Sequence, residues 1–248
     1  MRLSLKRSEM KGVILAGGGG SRLYPVTKVV NKHLIPVGDK PMIIHAVEKL
    51  VEAGLPEILI VGSGDSLGDI VKLLGSGKEF SCKLSYRVQD EPNGIAKALE
   101  AAEDFADNEP LVVLLGDNIF QDSLKEYVEE FKKEAQGATV FLKDVPDPSR
   151  YGIAEVNRDK IVSIEEKPQN PRASYCVTGI YMYDNKVFEI IKKLKPSARG
   201  EYEISDVNMV YLKRGELSHK ILKGWWVDAG TFDSLREAIQ LVSGEKDR

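Results

Sequence analysis

Gly12-Val13-Ile14-Leu15-Ala16 runs directly into Gly17-Gly18-Gly19-Gly20-Ser21-Arg22, and the fold turns on how that stretch is read. Five apolar residues bounded by glycine are too few for a helix and predict a strand buried on both faces. Residues 57–61, 84–88 and 111–115 are further strand candidates, the last (Leu111-Val112-Val113-Leu114-Leu115) followed at once by Gly116-Asp117-Asn118. Between them lie helical patterns. Pro41 stands at a helix start, with Ile43, Ile44, Val47, Leu50 and Val51 at helical spacing until Gly54. Residues 67–74 and 95–105 continue the alternation. Ser123 and Glu126 predict a capping box for a helix whose apolar positions are Leu124, Tyr127, Val128, Phe131 and Ala135. Buried strands alternating with amphipathic helices specify an α/β fold with a parallel sheet covered on both faces.

Past residue 143 the texture changes. Residues 151–156, 161–166 and 175–183 are close-set strand candidates with Pro- and Asn-rich turns, such as Lys167-Pro168-Gln169-Asn170-Pro171. Helices return at 186–194, 204–214 and 231–242. No low-complexity linker or repeat separates the halves. The expectation is one domain over residues 10–243: a Rossmann-like, mixed but mostly parallel central sheet flanked by helices. Residues 1–9 are expected to be disordered or non-native, because Met10-Lys11-Gly12 offers a natural start.

The 248 residues carry 35 Lys+Arg against 38 Asp+Glu, a net charge of −3, which argues against broad nucleic-acid binding. No apolar run approaches the 18 residues or so of a membrane span, and the charged N-terminus supplies no signal peptide. Cys82 and Cys176 make neither a disulfide framework nor a metal spacing, in keeping with a reducing cytoplasm. His33, His45 and His219 lack metal spacing too.

Glycines after a buried strand let backbone N–H groups approach an anion. Two familiar phosphate loops fail on inspection. A Walker loop needs Gly-Lys-Ser/Thr where Ser21-Arg22 stands, and a dinucleotide loop should open into a long helix, which Pro25 and Pro36 prevent here. Arg22, Lys28 and Lys32, clustered past the glycines, still offer what a polyphosphate needs. Asp117, closing a buried strand, lies where open α/β sheets bind ligands.

The blocks 15–25 with Asn31-Lys32, Leu115-Gly116-Asp117-Asn118, Glu165-Glu166-Lys167-Pro168, Val177-Thr178-Gly179, Lys195-Pro196-Ser197-Ala198-Arg199-Gly200-Glu201 and Asp228-Ala229-Gly230-Thr231 occur together and in order. In this the chain, over residues 11–241, resembles the sugar-1-phosphate nucleotidyltransferases. The resemblance implies their fold (GT-A-like) and thymidylyl transfer from dTTP to α-D-glucose 1-phosphate, giving dTDP-glucose and pyrophosphate. UTP as donor and a catalytically silent nucleotide-sugar-binding relative stay open as alternatives.

The resemblance also implies residue roles. Arg22 and Lys32 would stabilise the departing pyrophosphate, and Lys167 completes the catalytic set. Leu15, Gly17, Gly18, Gly20, Ser21, Arg22, Gln89, Pro92, Gly94 and Asp117 would bind nucleotide. Asn118, Tyr151, Gly152, Glu166, Lys167, Val177, Gly179, Tyr181 and Arg199 would bind sugar phosphate, with Thr178 beside them. Asp117 and Asp228 would hold Mg²⁺, although nothing in their spacing brings them together. On a strand Glu166 and Lys167 diverge unless the Pro168 turn redirects the chain. Residues 10–143 would form the nucleotide half and 144–243 the sugar half of a cytoplasmic homo-oligomer, a tetramer by resemblance, with no nucleic-acid or membrane partner. Gly19, Ser21 and Ala229 replace hydroxyl residues common in relatives. The chain stops at Arg248, short of helices that build an allosteric site in longer relatives.

Overall fold

The computed structural model describes residues 9–246, so the expectation for residues 1–8 lies outside the described residues; the Glu9 amide donates to Glu109 Oε2 at 3.1 Å and Met10 is buried. In chain order the elements are β1 (Lys11–Ala16), β2 (Pro36–Val37), β3 (Lys40–Pro41), α1 (Met42–Glu52), β4 (Glu57–Ser63), α2 (Gly64–Leu74), β5 (Lys83–Gln89), α3 (Ile95–Glu100), α4 (Glu103–Ala106), β6 (Leu111–Leu115) and β7 (Asn118–Phe120). There follow α5 (Lys125–Glu134), β8 (Ala138–Asp144), β9 (Gly152–Asn157), β10 (Lys160–Glu166), β11 (Tyr175–Tyr183), α6 (Val187–Ile191), α7 (Ile204–Arg214), β12 (Leu217–Ile221), β13 (Trp226–Asp228) and α8 (Phe232–Lys246).

Both halves of the chain share one nine-stranded sheet. Its spine runs β12-β8-β11-β6-β1-β4-β5, in which β11 alone is antiparallel to its neighbours, and the β9–β10 hairpin branches from the start of β11. Side-chain alternation along β1 explains its unbroken apolar run. Val13 and Leu15 pack on one face with α3, α6 and α7, while Ile14 and Ala16 pack on the other with α1, α2 and α5. A third cluster forms where α8 closes over Leu23, Met42, Ile119 and Val227. On α1, Met42, Ile43, Ala46, Val47 and Leu50 are buried, each larger side chain contributing about 1.5–3 kcal/mol of burial.

Four sequence expectations are corrected. Ser123 and Glu126 form no capping box: α5 opens after Leu124, and the Ser123 hydroxyl instead accepts from the Lys125 amide at 3.4 Å. The helix over 95–105 breaks in two, because the chain tightens to a three-residue bond from the Ala102 amide to the Leu99 carbonyl; no Gly or Pro marks the break. The helix over 186–194 is regular only as α6 and finishes in tight turns. Strand β8, absent from the sequence reading, is a buried strand beside β11, and its run Ala138-Thr139-Val140-Phe141-Leu142 follows a turn at Gly137.

The connections set up the site. From β1 the chain steps outward to β4 and β5, then returns to the other side of β1 as β6. Where strand order reverses in this way, a crevice opens at the C-terminal ends of the two strands. Here those ends are Ala16-Gly17 and Leu115-Gly116-Asp117, joined by the Gly116 amide donating to the Leu15 carbonyl at 2.9 Å.

Candidate active site

The crevice holds two adjoining cavities that share Asp117, Leu115, Ile95 and Glu201. The smaller, about 240 Å³, is lined by Leu15, Gly17, Gly18, Lys32, Gln89, Pro92 and Gly94. The larger, about 550 Å³, is lined by Ser21, Arg22, Asn118, Tyr151, Gly152, Glu166, Lys167, Val177, Gly179, Tyr181, Arg199 and Asp228. The glycine run therefore divides: Gly17 and Gly18 face one cavity, and Ser21 and Arg22 the other. Gly20 lines neither. Its carbonyl is taken up by the Leu23 amide and the Thr27 hydroxyl, so its part is to shape the turn. Thr178 also turns away, its hydroxyl donating to the Phe141 carbonyl at 2.9 Å.

Gly94 sits at φ +114, and a Cβ there would lie 2.5 Å from the Tyr202 carbonyl oxygen. This close approach carries the chain from the smaller cavity across to the α7 approach, through the Tyr202 amide on Asn93 and the Ala96 amide on Tyr202. At the floor of the larger cavity, β11 bulges against β8 between Val177 and Tyr181. The bulge frees the Gly179 amide to donate to Asn118 Oδ1 at 2.8 Å, while Trp226 Nε1 donates to the same oxygen at 2.7 Å. A Cβ at Gly179 would strike Asn118 and Leu115 at 2.7 Å.

Spacing left Asp117 and Asp228 unconnected; a short antiparallel ribbon connects them. β13 pairs with β7 so that Asp228 lies opposite Asn118, and the Ala229 amide donates to the Asp117 carbonyl at 2.9 Å. Lys32 Nζ stands 2.6 Å from Asp117 Oδ2, with side chains only 11% and 12% exposed. Burial alone would raise the Asp117 carboxyl, but the Lys32 ammonium outweighs it and holds the group well below the usual carboxylate range. Asp228 goes the other way: burial and the Asp117 charge push it up to about 6, against the pull of Lys32, Arg22 and Arg150. Arg22 Nη2 is 4.0 Å from Asp228 Oδ2, and Asp228 Oδ1 is buried with no hydrogen-bond partner.

Two carboxylates on one ribbon, one carrying an orphaned oxygen and an upward-shifted carboxyl, fit a divalent cation. A consequence follows for metal-free protein. The folded state keeps a proton on Asp228 up to about pH 6, whereas the unfolded chain releases it near the ordinary value of 3.8. Folding thus takes up a proton in that window, and stability falls as pH rises from about 4 to 6. Thermal unfolding in chelator should show wild type losing ground to Asp228→Asn across this range, and a divalent cation should cancel the loss. Parallel curves with and without cation would refute the assignment.

The other pair resolves through backbone geometry. Lys167 adopts φ +44, which swings its ammonium to 3.6 Å from Glu166 Oε1 instead of across the sheet. Glu166 also takes the Ser205 hydroxyl at 3.0 Å and lies 3.5 Å from Arg199 Nη1, which is itself tied to Glu201 and Glu203.

The polar and aromatic lining residues that sequence reasoning missed include Arg150, Ser205, Asn208 and Trp226. Ser205 and Asn208 sit three apart at the start of α7, a one-face spacing that could have flagged them. His33, behind Lys32, is fully buried; its Nδ1–H donates to Asn31 Oδ1 at 3.0 Å, and burial, aided by Lys32, lowers it to about 3. The folded protein keeps His33 neutral while the unfolded chain takes up a proton below about pH 6.5, so stability falls as pH drops from 6.5 toward 3. His33→Gln should show a flatter acid limb in denaturant titrations. An unchanged slope would mean that His33 charges freely when folded.

The chain was compared with known proteins. The family model described as nucleotidyl transferase matches residues 11–245. A glucose-1-phosphate thymidylyltransferase of Neisseria meningitidis serogroup A is 47% identical over 237 residues, covering 94% of this chain and 82% of the relative. One of Mycolicibacterium smegmatis is 45% identical with the same coverage. A crystal structure assigned to a glucose-1-phosphate thymidylyltransferase of Bacillus anthracis, in complex with a sucrose, superposes with a TM-score of 0.90 at 57% identity, covering 94% of each chain. A UDP-glucose pyrophosphorylase complexed with UDP-glucose superposes at 0.84 and 28% identity, covering 95% of this chain and 99% of that one. With a family model spanning nearly its whole length and the same mostly parallel sheet as these structures, this chain belongs to the nucleotidyl transferase family.

Proposed function

We propose that this enzyme transfers a thymidylyl group from dTTP to α-D-glucose 1-phosphate, giving dTDP-glucose and pyrophosphate. The observation that carries the reading is the pair of cavities meeting at Asp117, with Lys32 lining the smaller and Arg22, Lys167 and Arg199 lining the larger. Two anionic substrates need such an arrangement, because their mutual repulsion is the main obstacle to reaction.

In this reading residues 10–143 provide the nucleotide half. Gln89, Pro92 and Gly94 take the base, with Leu15, Gly17 and Gly18 beneath the nucleoside. Residues 144–243 provide the sugar half: Glu166, Tyr151, Gly152, Val177, Gly179 and Tyr181, joined by Asn118 from the first half, surround the hydroxyls, and Lys167 and Arg199 hold the phosphate. A phosphate oxygen of the sugar attacks the α-phosphorus, the bond to the β-phosphate oxygen breaks, and pyrophosphate leaves toward Arg22 and Lys32. Asp117 and Asp228 would hold Mg²⁺, which when bound neutralises phosphate charge as the new bond forms. A cytoplasmic homo-oligomer belongs to the same reading, which light scattering checks for assembly.

The names of the similar thymidylyltransferases favour dTTP, and the likeness to a UDP-glucose pyrophosphorylase makes UTP the competitor to test. The experiment is pyrophosphate release with Mg²⁺, glucose 1-phosphate and dTTP, UTP, CTP, ATP or GTP in turn. Release is expected to be fastest with dTTP. Preference for UTP would replace the donor, and no release from folded protein with any triphosphate would leave the silent nucleotide-sugar binder.

A further inference from the structure

Among the described residues, four buried side-chain atoms lack a hydrogen-bond partner: Arg150 Nη2, Asn208 Nδ2, Glu216 Oε2 and Asp228 Oδ1. Three of the four belong to residues lining the larger cavity. Native proteins leave few such atoms unsatisfied, so three in one cavity mark places that a ligand completes.

Arg150 stands out by its charge. Each of the other cations lining the two cavities has a carboxylate within 4.0 Å: Arg22 has Asp228, Lys32 has Asp117, Lys167 has Glu166, and Arg199 has three glutamates. Arg150 has none. Its guanidinium lies 5.5 Å from the centroid of the Tyr151 ring, and that ring meets Trp226 edge-on at 5.5 Å. Trp226 begins the strand that ends at Asp228, so Arg150 stands near the Asp228 side of the cavity. Arg22 stands on that side as well, and both guanidinia favour the charged form of the Asp228 carboxyl.

From this we infer that Arg150 is a phosphate-binding residue of the reaction, taking an oxygen of the departing pyrophosphate alongside Arg22. The inference rests on the function proposed above. An unpaired guanidinium presents a planar fork to phosphate oxygens. When the bond to the α-phosphorus breaks, negative charge grows on the bridging oxygen that leaves with pyrophosphate, and a donor already in place stabilises that charge. The partly buried setting makes the interaction stronger than a surface contact. The Tyr151 ring lies beside the guanidinium, and no carboxylate within 4.0 Å among the described residues has to be released before phosphate binds.

Arg150→Gln and Arg150→Lys test this in the reverse direction, with nucleotide sugar and pyrophosphate as substrates. Arg150→Gln should raise the KM for pyrophosphate about tenfold or more, the scale of one charge-assisted contact. The KM for sugar 1-phosphate in the forward direction should stay within about threefold, and Arg150→Lys should recover part of the loss. Thermal unfolding confirms that each variant folds. An unchanged KM for pyrophosphate, or a loss falling on sugar 1-phosphate, would overturn the inference. Calorimetric titration with pyrophosphate in chelator separates the two levels of the argument. If wild type proves inactive with every substrate pair, the functional reading fails, yet weaker pyrophosphate binding by Arg150→Gln than by wild type still decides the role of Arg150.

Discussion

Asp117→Asn is expected to lower kcat/KM by roughly 10²–10³, the loss typical of removing one preorganised electrostatic group. Three features of the site converge on this residue. Asp117 lies two residues past β6 where both cavities meet, it pairs with Lys32 at 2.6 Å, and its charge is one reason that Asp228 holds its proton. Asparagine keeps the shape and the capacity to accept from Lys32, but it removes the carboxylate proposed to hold the cation and leaves the ammonium without its counter-charge. Lys32→Ala should cost a similar factor for the opposite reason, because it strands a buried carboxylate next to Asp228. Since the two act as a unit, the double variant should lose far less than the product of the single losses. Steady-state kinetics on the three variants checks this, and near-normal activity in Asp117→Asn would remove the residue from the reaction.

Lys167→Ala is the second large effect expected, about 10² in kcat/KM for sugar 1-phosphate, with the triphosphate KM within about threefold. Lys167 has a left-handed backbone and lines the larger cavity, which the proposed function gives to the sugar phosphate. Alanine tolerates that backbone about as poorly as lysine does, so the variant loses the charge without a large new strain. It also leaves Glu166 with Arg199 as its remaining cation within 4.0 Å among the described residues. KM and kcat measured separately for each substrate give the split. A loss carried by triphosphate affinity would show that the cavities have been assigned to the wrong substrates.

Three strands apolar on both faces were legible in the sequence. β1, β4 and β6 announce themselves because a strand covered by helices on both sides admits few polar residues. β8 is as apolar as these, and it went unread because the change in texture was placed at its far end rather than at Gly137. The ribbon of β7 and β13 is three residues per strand, too short for any periodicity to register. That ribbon is nevertheless what joins Asp117 to Asp228 across more than a hundred residues, so the metal pair could come only from resemblance. The Lys167 turn was foreseen as a condition, that Pro168 redirect the chain, and the structure meets it through Lys167's own positive φ. Arg150 was passed over beside Tyr151, because an arginine in a loop carries no signal of what surrounds it. That no carboxylate lies within 4.0 Å of it among the described residues is a property of the fold alone.

In the proposed reaction the two substrates meet across Asp117 and react directly, with no nucleotidyl group held on the protein. The measurement that tests it most directly is the stereochemical course at the α-phosphorus, read by ³¹P NMR of the product made from a single diastereomer of α-thio-dTTP. One in-line attack predicts inversion. Retention would require two displacements, and so a covalent nucleotidyl-enzyme that the geometry described above has no place for.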